Sequence, residues 1–301
     1  MHREIEQAVT LLEKNDPGAI EQALELLQGA VFSFSMKVCG QREDAEDTMQ
    51  EVLVKALPYL PKFESPRALL VWLYKVAKNR CLMSRRRSKF APKQNLSLDE
   101  LMPNREELAS LAKGGPVNPE TLAIRSQQAK RLRVAIQELP PQYRIILVLR
   151  DMEGLSDDEV GDITGLRPGN VRVRLHRARL FVRQKLAQQN GKRGTAGRKP
   201  IQPSQQAVEK EKRHPASCKS LFAQLSHYLD GQLDDSMCEQ LERHLDGCEQ
   251  CKAFLDNLES TVHLLQQTPA DALAKPSAAR VRRNLMKRYH ELSRQWKGKN
   301  P

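Results

Sequence analysis

Four residues in the C-terminal third, Cys218, His244, Cys248 and Cys251, have the types and spacing of a metal site. Cys218-x25-His244-x3-Cys248-x2-Cys251 offers three thiolates and one imidazole. That donor set suits a closed, tetrahedral zinc site with no position left open for a substrate. His244 and Cys248 are four apart and face the same way at a helix end. Gly247 frees the backbone for the turn into Cys248-Glu249-Gln250-Cys251, and Cys218 returns across the Tyr228-Leu229-Asp230-Gly231 turn. Cys238 competes for the fourth place, but six residues, about 240° of helix, separate it from His244, so it is left out. A module of about 50 residues has a poor core by itself, and bound Zn2+ supplies folding free energy. The expectation is a structural zinc whose thiolates are open to oxidation.

A second constellation lies in the middle of the chain. Ser156 with Glu159 three residues later is a capping box that starts a helix at Asp157. Gly165 stops that helix, and Pro168 suits the first position of the next. Short helix, glycine turn and second helix form the helix-turn-helix pattern. The second helix carries Arg167, Arg172, Arg174, Arg177, Arg179, Arg183 and Lys185, with no acid over 166–190. Val171, Leu175, Ala178 and Phe181/Val182 make its buried stripe, which leaves Arg172, Val173, His176 and Arg177 on the groove side. An arginine can bond two acceptors of a guanine edge at once, so Arg172 and Arg177 are candidate base readers and the other arginines backbone clamps.

The third constellation is basic and aromatic. Lys75, Lys78, Arg80, Arg85, Arg86, Arg87 and Lys89 follow the apolar stripe Leu69, Trp72, Leu73, Val76 with no acid between them. Such density exceeds what a helix dipole rewards and suits a phosphate backbone. Trp72 falls on the core stripe, while Tyr74 is equally placed for packing or for stacking on unpaired bases. The preceding helix is amphipathic, with Met49, Val52, Leu53, Ala56 and Leu57 on one face and Glu43, Asp44, Glu46, Asp47, Gln50 and Glu51 on the other.

The elements that must position these groups are helical. The chain has 301 residues, 40% apolar and 5% aromatic, and shows no strand alternation and no internal repeat. Pro and Gly punctuation delimits 1–92, a linker over 93–119, 120–188, a flexible tether over 189–217, a zinc module over 218–267, and a basic tail over 268–301 with an amphipathic helix (Ala278, Val281, Leu285, Met286, Tyr289, Leu292). The fold class is all-α: two small helical modules, the second a helix-turn-helix, and a small zinc-stabilised helical domain. The net charge of +12 suggests a polyanionic partner. No apolar run is long enough to span a bilayer and no secretion signal opens the chain, so a cytoplasmic protein is expected. Its six cysteines should then be reduced, metal-bound or redox-active, not a disulfide framework. No carboxylate cluster or nucleophile–base pair has catalytic spacing, and no enzyme is expected.

These residues carry a resemblance. Asp44-Ala45-Glu46-Asp47-x-x-Gln50-Glu51-Val52, followed by Trp72-Leu73-Tyr74-Lys75-Val76-Ala77-Lys78-Asn79 and the Arg run, resembles region two of the extracytoplasmic-function sigma factors of bacterial RNA polymerase. The resemblance implies that the acidic helix docks on the β′ clamp helices, with Asp47, Gln50 and Glu51 as polymerase contacts. It also implies that Phe63, Asn79 and Arg80 contact the minus-ten element. Asn170 to Arg179 is similar to the recognition helix of sigma region four, which implies reading of the minus-thirty-five element. Asn170, Arg167 and Gly161 depart from the usual Thr, Ser and Ala, the last at about 1 kcal/mol of helix propensity. Cys218 through Tyr228-Leu229-Asp230-Gly231-Gln232-Leu233 to Cys251 resembles the zinc-binding anti-sigma domain, which implies a module that occludes a sigma factor. The expected function is a sigma factor that binds core RNA polymerase and promoter DNA and is modulated in cis by its own zinc domain. A stand-alone helix-turn-helix regulator with a structural zinc is the second reading, and it leaves the acidic helix without a role.

Overall fold

A computed structural model describes residues 2–14, 16–63, 65–85, 95–103, 107–108, 122–191 and 221–267, with Lys287 and Glu291. Every regular element among them is a helix. Cys218, Arg86, the expected tether over 189–217 beyond residue 191 and the amphipathic pattern over 278–292, those two residues apart, lie outside the described residues, and 189–191 continue a helix instead. No helix among the described residues is long and apolar enough to cross a membrane. Backbone contacts divide the chain into two compact units: residues 1–93 with 155–167 and the tail, and residues 94–154 with 168–267.

The first unit is built on α1 (His2–Glu13), α2 (Pro17–Cys39), α3 (Arg42–Ala56) and α4 (Pro66–Arg85). Asp16 caps α2 by accepting from the Ala19 N–H at 3.1 Å, ahead of a proline that loses nothing at a first turn. Gly40 ends α2 in the left-handed region at φ 83°, where a side chain would be strained. Ile5 and Ala8 of α1, a helix the sequence pattern did not announce, are buried. The stripe of α3 is buried as its periodicity requires: Ala45, Met49, Val52, Leu53 and Ala56. Tyr74 is core, stacked on Phe34 at 4.2 Å. Cys39 at the end of α2 and Cys81 in α4 form a disulfide, with their Cα atoms 5.4 Å apart. The sequence reading gave no such pairing, because nothing local says that the end of α2 crosses α4.

The segment 155–167 belongs to this unit and not with the rest of the helix-turn-helix. It holds α8 (Asp157–Thr164). Both halves of the expected capping box form: Ser156 Oγ accepts from the Glu159 N–H, and Glu159 accepts from the Ser156 N–H at 2.7 Å. Glu159 also pairs with Arg67 of α4 at 3.0 Å, and Lys78 of α4 donates to the Ile163 carbonyl at 2.6 Å. Lys78, counted above among phosphate-facing cations, is therefore an internal anchor. Burial, and after it the neighbouring Lys75, lower its pKa. Gly161 is explained as well. A Cβ there would stand 2.8 Å from the Leu166 carbonyl oxygen, so the glycine lets the chain return closely after the turn.

The second unit contains α5 (Leu98–Leu101), α6 (Leu122–Glu138), α7 (Pro141–Leu147), α9 (Pro168–Gly191), α10 (Leu225–Leu229), α11 (Asp235–Gly247) and α12 (Glu249–Gln266). A π-type turn over Val148–Met152 extends α7. Arg144 is buried and closes the end of α6, its guanidinium donating to the carbonyls of Ile136, Gln137 and Leu139. Those are the acceptors that a helix C-terminus leaves unpaired. The described residues of the expected linker include buried positions. Leu101 and Leu108 sit in one apolar core with Leu180 of α9, Phe222, Leu241, Phe254 and Leu258.

Propensity alone predicts that Gly161→Ala stabilises α8 by about 1 kcal/mol. The close approach of the Leu166 carbonyl predicts the reverse, and a lower urea midpoint for the G161A full chain is the expected outcome.

Candidate functional site

The acidic face of α3 places Asp47 in solvent, with Gln50 and Glu51 half-exposed beside it. Glu51 accepts from Lys55 at 2.7 Å and pairs with Arg80 of α4 at 2.6 Å. The Lys55 hydrogen bond is the main cause that holds its carboxyl below the usual range, and Arg80 adds to it. A residue expected to meet polymerase and one expected to meet DNA are thus joined across two helices. Asn79 is exposed next to Arg80. Phe63 is half-buried, edge-on to Trp72 at 5.8 Å, and the Tyr59 ring is tilted against the same indole at 6.1 Å. Arg85 is the last residue of α4.

Helix α9 has two buried faces where the sequence announced one. Val171, Leu175, Ala178 and Val182 form the expected apolar stripe. Beside it, Arg172, His176, Arg179 and Arg183 follow i, i+4, i+7 and i+11 and share a second stripe. Arg172 at its start is half-exposed, and Val173 and Arg177 next to it stay accessible. The other three are buried. His176, expected on the groove side, instead donates to or accepts from Ser226 Oγ through Nδ1 at 2.7 Å and meets the Phe222 ring edge-on. Burial, then the nearby His227, Arg179 and Arg177 charges, push its pKa down to about 3. It is a neutral packing residue in this arrangement.

Arg179, expected to clamp a DNA backbone, is held between two carboxylates. Its guanidinium reaches Asp151 at 2.6 and 2.9 Å and Asp230 at 2.8 and 2.9 Å. Burial opposes its charge, but the two acids outweigh that and its pKa is raised. Asp230 belongs to the Tyr228-Leu229-Asp230-Gly231 turn, where Gly231 takes φ 63°. Arg183 pairs with Glu107 at 2.8 Å and lies 4.3 Å over the Phe254 ring. The signal for this second face was present in the sequence as four basic or imidazole residues in one helical register, but a DNA surface and a protein surface give the same pattern.

The metal-type residues converge at the junction of α11 and α12. His244 lies in the last turn of α11, Cys248 links the helices, and Cys251 stands in the first turn of α12. Asp234 caps α11 by accepting from the Met237 N–H at 2.9 Å, which sets the register that brings His244 to the far end. The three donor atoms lie within 4.8 Å of one another, with His244 Nε2 3.3 Å from Cys251 Sγ. Donors gathered at that spacing can surround one zinc ion with Zn–S near 2.3 Å and Zn–N near 2.0 Å. The positive end of α12 favours the two thiolates. Cys238 is not part of the cluster; its thiol faces the Leu233 carbonyl.

These features define an all-helical protein with a helix-turn-helix and a cluster of metal-type residues. Sigma-70 region 2 matches residues 24–90, sigma-70 region 4 matches 129–182, and a zinc-finger family matches 218–252. The chain is 31% identical over 151 residues to the ECF RNA polymerase sigma-E factor of Escherichia coli, covering 48% of this chain and 74% of that protein. It is 27% identical over 188 residues to the ECF RNA polymerase sigma factor SigW of Bacillus subtilis, covering 62% and 98%. A solved sigma factor RpoE in complex with the anti-sigma factor NepR, from Bartonella quintana, is matched over 55% of this chain and 95% of that one at 21% identity and TM-score 0.38. The chain belongs to the ECF sigma factors of RNA polymerase, which bind core polymerase and promoter DNA, and it carries a zinc-finger module of anti-sigma type at its C-terminal side. The stand-alone regulator reading is not favoured.

The buried His176 sets a pH dependence. Its pKa is lower folded than unfolded, so the unfolded chain binds the extra proton. Its contribution is complete above pH 6.5 and is lost as pH falls from there toward 3. At pH 5 the loss is about 2 kcal/mol. The unfolding midpoint of wild type should fall more between pH 7 and 5 than that of His176→Asn, which keeps a polar partner for Ser226 without titrating.

Proposed function

We propose that the C-terminal module, residues 221–267, docks in cis on α9 and withholds the minus-thirty-five reader from DNA. The observation that carries this reading is the shared stripe on α9. Arg172 opens it, and His176 and Arg179 continue it into contacts with Ser226, Phe222 and Asp230 of the module. Helix-turn-helix proteins present the N-terminal residues of their second helix to base edges. A duplex reached by Arg172, Val173 and Arg177 would meet the module along the same face. Asp151 and Asp230 stand where phosphates would otherwise approach Arg179. A flexible chain of about 28 residues has a root-mean-square reach near 30 Å and sets an effective concentration of roughly millimolar order, at which weak docking suffices.

In this reading Asp47, Gln50 and Glu51 contact the β′ clamp helices. Asn79 and Arg80 contact the minus-ten strand, with Arg85 and Arg86 on its backbone, and Arg172 and Arg177 read bases. The protein works in the cytoplasm. His244, Cys248 and Cys251 hold a zinc ion, with Cys218 as the fourth ligand. The ion supplies a cross-link between the ends of α11 and α12 and with it part of the module's folding free energy.

Run-off transcription with added core polymerase tests the docking. A chain ending at residue 191 should be more active than the full chain. Asp230→Ala should fall between them, because it removes one carboxylate from Arg179 and leaves Asp151 in place. Lower activity on truncation would mean that the module assists instead.

Metal analysis tests the centre. The purified chain should carry one zinc, which His244→Ala or Cys248→Ser should lose and Cys238→Ser should keep. Retention of zinc in the Cys218→Ser chain would remove that residue from the ligand set.

A further inference from the structure

We infer that Cys39 and Cys81 are a reversible thiol–disulfide site that staples the polymerase-binding module under oxidation, separately from the metal-type cysteines. The pair joins the last residue of α2 to α4 across 42 positions of sequence, at a Cα separation of 5.4 Å. That separation lies within the range a disulfide requires without backbone movement. Both residues are excluded from solvent, at 1% and 2% exposure. A single buried cysteine is adequately explained as a small apolar side chain. Two that face each other across separate helices at bonding separation are not.

The third member of the site is Thr48 of α3. Its hydroxyl lies 3.8 Å from Cys39 Sγ and 3.9 Å from Cys81 Sγ. Thr48 is itself buried among α2, α3 and α4, on the inner face of the helix whose outer face carries Asp47 and Glu51. A hydroxyl in that place can donate to whichever sulfur becomes a thiolate, which makes Thr48 a positioning residue for the exchange.

A sigma factor works on chromosomal DNA, where thiol buffers keep ordinary pairs reduced. Disulfides that do form in such a compartment are transient and redox-sensing. The oxidant assigned here is hydrogen peroxide, small enough to reach the pair in the brief local openings that folded proteins undergo. One thiol loses its proton and attacks the peroxide O–O bond, giving a sulfenic acid and hydroxide, which takes up that proton as water. The second sulfur attacks the sulfenic sulfur, forms the S–S bond and expels the hydroxyl as a second water, with its own proton. Two thiols and one peroxide give one disulfide and two waters. A dithiol reverses the step by exchange.

The closed loop contains all of α3 and most of α4, and with them Glu51 and Arg80, which pair at 2.6 Å directly beside Cys81. Closing it in the unfolded chain removes conformational freedom there, so the oxidised module is the more stable one. The bond leaves the outer faces of α3 and α4 in place. Its effect is persistence of the module under oxidising stress, independent of whether the C-terminal module inhibits.

The test uses the full chain, reduced and then treated with equimolar hydrogen peroxide. After denaturation, blocking of free thiols and digestion, the peptides holding Cys39 and Cys81 should be found joined, and dithiothreitol should separate them. The oxidised chain should melt several degrees above the reduced one. That comparison needs no variant and so does not depend on a mutant folding. Cys39→Ala and Cys81→Ala should each abolish both the joined peptide and the redox-dependent difference in melting. Thr48→Val should slow the joining several-fold, and Thr48→Ser should restore it. Recovery of Cys39 and Cys81 on separate, blocked peptides after peroxide would overturn the inference. So would a joined chain that melts no higher than the reduced one.

Discussion

A guanidinium cannot stay buried without acceptors for its N–H groups, and that constraint organises the second unit around Arg179. Arg179 is 1% exposed and is held by Asp151 from the turn that ends α7 and by Asp230 from the turn that opens the C-terminal module. Removing one charge from a buried pair costs far more than an exposed pair ever contributes. The geometry of two separate turns therefore follows from one side chain. The π-type turn at Val148–Met152 brings Asp151 inward, and the left-handed Gly231 closes the turn that carries Asp230.

The same helix explains why polar groups dominate this contact. His176, Arg179 and Arg183 face Ser226, two aspartates, Glu107 and the Phe254 ring, while Leu180 joins the neighbouring apolar core. A basic face is covered by acids and by aromatic rings, which answer its charge. The proposed cis control is an exchange of one polyanion for a few well-placed carboxylates.

The first unit is held differently. Aliphatic stripes of α2, α3 and α4, the Phe34–Tyr74 stack and the Cys39–Cys81 bond form its interior. Among its described residues Lys37, Lys78 and Asp157 are buried charged groups, and Lys78 donates to the Ile163 carbonyl. The acidic residues of α3 and the basic residues of α4 stand on a frame that packing and the Cys39–Cys81 bond make firm.

Local physics made much of this legible in the sequence. The periodicity of α3 and α4, the Ser156–Glu159 capping box, the stops at Gly40 and Gly165 and the His244-x3-Cys248-x2-Cys251 cluster depend on neighbours within one or two turns, and the structure forms each of them. What a basic residue faces does not depend on its neighbours. His176, Arg179 and Lys78 have the same local signature as Arg172 and Arg177, and only the tertiary structure decided that the first three turn inward against Ser226, Asp151 and Asp230, and Ile163. The Cys39–Cys81 pairing and the close approach that requires Gly161 also join residues through space, so they belong to the fold and not to any window of the chain.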